Sequence, residues 1–102
     1  MSEQFEYAKI TSTFIGMIGD EMRMVITFSF PSYCAYYDDI LDASGIQNMR
    51  KIIDVVGTGS WEHLRGRYAW VRTNGFGGDA VAIRGVGTDK QLNLLDLRYN
   101  RF

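Results

Sequence analysis

Chemistry needs particular side chains at particular spacings, and this chain has few. It holds one cysteine and one histidine, Cys34 and His63. They make up the only Cys/His pair that could supply a nucleophile and its base, and such a pair works only within hydrogen-bond reach. Cys34 stands among aromatic residues, as a small core residue would. His63 falls in a segment read below as a short helix. No catalytic residue is assigned, and the chain is not expected to be an enzyme. A closed zinc site needs four N, S or O ligands at short paired spacings. Asp38, Asp39 and Asp42 offer oxygens, but without the spaced ligands and glycine of a calcium loop. No metal and no cofactor are expected. Gly75-Phe76-Gly77-Gly78 looks like a phosphate cradle, yet no lysine–serine pair and no helix start follow it. It reads as a hairpin turn.

Two clusters are candidates for binding. Tyr36, Tyr37, Asp38 and Asp39, with Asp42 close behind, join adjacent tyrosines to negative charge. Tyrosine is enriched in protein interfaces, and the carboxylates suit a basic partner surface. The plainer account is a solvated acidic loop with one tyrosine buried. Tyr68, Trp70 and Arg72 alternate, so a strand would put them on one face as an aromatic platform with a cation beside it. That arrangement suits a small ligand or a nucleotide. The plainer account is that the two rings cover a helix. The sequence pI of about 5.7 does not favour generic nucleic-acid binding.

The elements that would hold these clusters are legible in part. Ser44 and Gln47 fit a capping box, and Gly57 suits a left-handed helix end. Between them Ile46, Met49, Ile52, Ile53 and Val56 share one helical face. This predicts a helix over 45–56 with that face on a sheet. Ser60 to Leu64 reads as one short helical turn, with Trp61 and Leu64 tucked under the main helix. Residues 22–30 alternate as a half-buried strand. Residues 5–15 read as a strand of imperfect alternation, joined to it by a hairpin. Tyr33 to Tyr37 reads as an edge piece, followed by an acidic loop, Asp38 to Asp42. Strands are expected at 67–73, 80–86 and 92–97. The fold class is α+β: a small antiparallel sheet packed on one central α-helix, in the order ββ(β)-α-βββ.

At 102 residues the chain is expected to form one domain, 1–102, with a core large enough to need no staple. One cysteine excludes an internal disulfide and suits a reducing, cytoplasmic setting. The first residues are acidic where a secretory signal is basic, and no apolar run reaches membrane-span length. Residues 1–49 carry two basic residues against seven acidic ones; residues 50–102 carry nine against five. Opposite halves either attract each other in the fold or leave a basic face for a partner.

The run from Ile52 to Arg72, IIDVVGTGSWEHLRGRYAWVR, resembles the pattern of a small protein family encoded by phages and prophages. That pattern is an apolar helix ending in Val-Gly, a Ser-Trp-Glu-x-Leu-x-Gly turn, then a strand of alternating aromatic and basic residues. Thr13 to Gly16, Ile83 to Gly87 and Asp89-Lys90 match further parts of it. The glycine-rich segment that relatives place before the helix is replaced here by Ser32 to Tyr36, and Gln91-Leu92 stands where they have Trp-Phe. The family has no established activity. The resemblance therefore implies a phage accessory protein and carries over no site residues. By analogy with other such proteins, it points to a non-enzymatic module that inhibits a host defence complex, in the manner of an anti-CRISPR protein. A host protein is the expected partner, through Tyr36, Tyr37, Asp38, Asp39 and Asp42.

Overall fold

A computed structural model describes residues 4–74 and 78–99. Three strands lead: β1 Glu6–Ile18, β2 Glu21–Ser29 and β3 Cys34–Ile40. Helix α1, Ala43–Val56, follows, then a single 3-10 turn, Trp61–His63. Strands β4 Tyr68–Thr73, β5 Ala80–Arg84 and β6 Gln91–Asn93 come next, and a short helix α2, Leu94–Tyr99, ends the described chain. The strands form one sheet in the order β3-β2-β1-β4-β5-β6, antiparallel at each pairing. The expected α+β class with an antiparallel sheet therefore holds. Its last strand is shorter than expected. Asn93 accepts a hydrogen bond from the Leu95 amide (3.1 Å) and turns the chain into α2.

The sheet is two meanders joined at one seam. β1 to β3 form one, and β4 to β6 the other. They meet where Glu6–Lys9 pair with Val71–Tyr68, four residue pairs in all. At the far side Tyr36 of β3 donates its amide to the Gly78 carbonyl (3.3 Å) and bridges Asp79. The wings of the sheet thus curl toward each other around the core. The inner face carries Ala8, Ile10, Met24, Ile26, Phe28, Ala35, Tyr37, Ala69, Val71 and Ile83, all at most 1% exposed. Ile52 of α1, Leu64 and Leu94 close over them. The alternation of β1 is imperfect because the register slips at Thr11. A bulge inserts one residue and moves the later side chains to the opposite face. Ile10 points inward, and so do Thr13, Ile15 and Met17, while Phe14 points outward beside Val25.

The helix begins two residues earlier than its sequence pattern predicts. Asp42, not Ser44, is the N-cap; its side chain accepts from the Gly45 amide at 2.8 Å. Gly57 closes the other end at φ 88°, with its amide on the Ile53 carbonyl. The buried stripe is Gly45, Asn48, Ile52, Val55 and Val56. Ile46, expected in the core, is 49% exposed, and Met49 and Ile53 are only partly buried. The stripe is turned because Asn48 has a partner below it. Its Nδ2 donates to Asp39 Oδ2 at 2.9 Å, and the Tyr37 hydroxyl donates to the same oxygen at 2.7 Å. Asp39 Oδ1 accepts from the Ile40 amide (2.9 Å). A buried carboxylate is tolerable when several donors meet it.

Candidate functional site

The curled sheet leaves its outer face uncovered by either helix. Alternation along β4 places Tyr68, Trp70 and Arg72 there, as the sequence pattern predicts. Strand pairing brings others that no local pattern reveals. Trp70 is opposite Tyr7 of β1, Tyr68 is opposite Lys9, and Arg84 of β5 lies opposite Trp70 on the other side. Tyr7 and Tyr68 stack at 4.9 Å between ring centroids, 10° from parallel. Tyr7 and Trp70 meet at 5.0 Å in a tilted pair. Such offset and tilted pairs are the arrangements that aromatic quadrupoles favour.

Three cations surround the rings. Lys9 Nζ sits 5.9 Å from the Tyr68 centroid. The Arg84 guanidinium lies 5.8 Å from Trp70 and 4.9 Å from Phe5, and Arg72 lies 5.8 Å from Phe5. Each distance is within cation–π range. Tyr7 and Tyr68 remain 46% and 43% exposed, so the rings are accessible to a ligand. Lys9, Arg72 and Arg84 put three positive charges among Tyr7, Tyr68, Trp70 and Ala82; Asp38 shares the outer face but lies on β3, two strands from β1. A hollow of about 550 Å³, lined by Trp70, Arg84, Gly85, Gly87, Thr88 and Asp89, opens at one side of the cluster. A second, of about 400 Å³, is lined in part by Tyr7, Tyr68 and Arg67 at the other side. A planar ring could lie on the aromatics, with an anionic group toward the cations.

The acidic aromatic segment is not a loop. It is β3, one of the sheet's two end strands, and alternation divides its residues between two faces. Tyr37 is wholly buried and Asp39 is 5% exposed, so neither can touch a partner on the folded surface. This corrects the expected contact set. Asp42 is occupied as the cap of α1. Tyr36, 43% exposed, and Asp38 keep outward positions, and Asp38 accepts an ion-pair contact from Arg23 (3.4 Å). They lie two strands from β1 and outside the aromatic cluster.

The remaining candidates do not converge. Cys34 Sγ is 3.6 Å from Ser29 Oγ, and His63 Nδ1 is 3.0 Å from Ser60 Oγ. Each meets a serine, and no hydrogen bond joins the two among the described residues. No group of three or more His, Cys, Asp or Glu side chains suited to a metal is found among the described residues. Residues 75–77 of the expected glycine turn lie outside the described residues; on either side, Asn74 and Asp79 are hydrogen-bonded to each other. No described helix is long and apolar enough to cross a membrane. Tyr33 packs flat on Phe30 and donates its hydroxyl to Glu6. Burial, then the Glu6 contact, holds its pKa above the ordinary tyrosine value. Comparison with family models, curated proteins and solved structures finds no match to this chain.

Proposed function

We propose that this chain is a non-enzymatic binding module whose outer sheet face takes a planar aromatic ring bearing an anionic group. That is the chemistry of a nucleotide, free or within a single strand. The observation that carries the reading is the Tyr7–Tyr68–Trp70 cluster with Lys9, Arg72 and Arg84 around it. Stacking is worth about 1–3 kcal/mol per base. Loss of Trp70 should therefore weaken binding by roughly 5- to 150-fold.

The test titrates the protein with mononucleotides by calorimetry and with a labelled oligothymidylate by fluorescence anisotropy. Trp70→Ala and Arg84→Ala serve as comparisons, each checked for native circular dichroism. A free-nucleotide site binds the mononucleotide as tightly as the oligomer. A strand site prefers the oligomer and weakens steeply with salt. If the wild-type protein saturates with neither, the reading fails.

A protein partner is the second reading, favoured by the outward placement of Tyr36 beside Asp38. In it the chain is a phage accessory protein that inhibits a host defence complex, with this acidic edge against a basic host surface. Tyr36→Ala and Asp38→Lys would then abolish capture of one host protein, while Trp70→Ala would not.

A further inference from the structure

β1 is longer than its neighbour can cover. It spans 13 residues, but β4 pairs only with Glu6 to Lys9. The last backbone bonds on that side join Ile10 to Arg67 (2.8 Å) and Gly66 to Ile10 (2.7 Å). Beyond them, β1 from Thr11 to Ile18 bonds to β2 alone among the described residues. On its other edge alternate residues, Thr13, Ile15 and Met17, present backbone donors and acceptors. Phe14, Ile15, Met17 and Ile18 along it are 42%, 42%, 58% and 48% exposed. No charged residue occurs between Lys9 and Asp20. Natural edges are usually guarded by lysine, proline or shortness, because a long apolar edge is a template for pairing. Here Thr11 to Ile18 holds no lysine and no proline, and the bulge in β1 lies only at its start.

We infer that this edge pairs antiparallel with the same edge of a second copy. Two features select that occupant. An antiparallel pair of identical strands has a two-fold axis, so the uncharged stretch meets itself and no like charges oppose each other. The ends then match. With the axis near Ile15, the turn of one copy, Asp20 and Glu21, reaches the other copy where its edge is closed by Arg65, Gly66 and Arg67. Both acids and both arginines are exposed. Acids therefore meet arginines at both ends of the pair. The axis stands perpendicular to the sheet, so the two outer faces look the same way. The dimer is one continuous sheet with two aromatic clusters on one side.

Sedimentation equilibrium of the wild-type protein, up to about 100 µM because a dimer's population follows concentration, should fit a dimer. Ile15→Lys places a charge in the middle of the seam opposite its own copy and should give a monomer with unchanged circular dichroism. The charge swap is the second arm, and it leaves the strand untouched. Arg65→Glu with Arg67→Glu should weaken the dimer by about tenfold or more, and adding Asp20→Lys with Glu21→Lys should restore it. A wild-type protein that stays monomeric at the highest concentration overturns the inference. So does a folded Ile15→Lys dimer, or a charge swap that neither weakens nor restores.

Discussion

Gly85 decides how closely α1 can approach β5. A methyl group built there would lie 2.3 Å from the Val55 carbonyl oxygen and 2.5 Å from Thr88 Cγ2. Ordinary contact begins at 3.4 Å. Thr88 is exposed and can rotate aside, but Val55 is helix backbone and can only move with the helix. Two effects of opposite sign compete in Gly85→Ala. Gly85 is not among the glycines with positive φ, so alanine suits its backbone, and the stiffer unfolded chain would favour the variant by about 0.4–1 kcal/mol. Against that, overpacking a tight interior costs about 1–3 kcal/mol, sometimes more. A gap short by about 1 Å against backbone puts this site at the upper end, so the net loss is expected near 2 kcal/mol. In a domain of this size that is a fall of roughly 8–16 °C in Tm. Urea melts followed by circular dichroism and tryptophan fluorescence measure it. Gly59→Ala is the control, since no atom lies within 4 Å of its added carbon; it should be neutral or slightly stabilising. A Gly85→Ala protein as stable as the wild type would refute the close approach.

Three further expectations can be checked by the same melts. Asp42→Ala should cost about 1 kcal/mol as the loss of an N-cap, and Ser44→Ala clearly less. Ile52→Ala should cost about 2–5 kcal/mol through the cavity it leaves, whereas Ile46→Ala, at a half-exposed site, should stay within about 0.5 kcal/mol. The raised pKa of Tyr33 means the fold favours its protonated form over the ordinary value of 10.0. Its stabilising contribution is therefore complete below that pH and is lost as pH rises through the folded value. Tyr33→Phe should flatten that alkaline limb of stability; an unchanged limb would count against the assignment.

The even alternation of β2 and the Gly57 helix end are local signals, and both are read correctly from sequence. The helix face is read in part: Ile52 and Val56 are buried and Met49 and Ile53 pack against the core, but Ile46 is exposed and Asn48 is buried. Asn48 looks like a surface residue until Asp39 is known to stand beneath it, and Asp39 looks like loop charge until β3 is recognised. Each polar residue is buried because the other is. Residues 92–97 fit a strand and a helix about equally, as short apolar runs do, and the Asn93 cap settles the choice. Tyr68, Trp70 and Arg72 are legible as one strand face because period two is local. Tyr7, Lys9 and Arg84 join them through pairings between distant segments, and no local spacing encodes those.

The seam between the two meanders has a consequence for cooperativity. Within each meander, strands adjacent in sequence pair through short connections and form early. The four pairs joining Glu6–Lys9 to Tyr68–Val71 close a far longer loop and are expected to form late, because distant contacts pay their entropy before they gain. They are also where a partial opening of the native protein would begin. The stacked rings of Tyr7 and Tyr68 belong to opposite sides of that joint. A ring laid across both would act as a rivet. Its binding would slow amide hydrogen exchange at Ala8, Ile10, Ala69 and Val71, whose amides alternation turns across the seam, while exchange within each meander would change little. Occupancy would thus be recorded as rigidity at one line through the middle of the sheet.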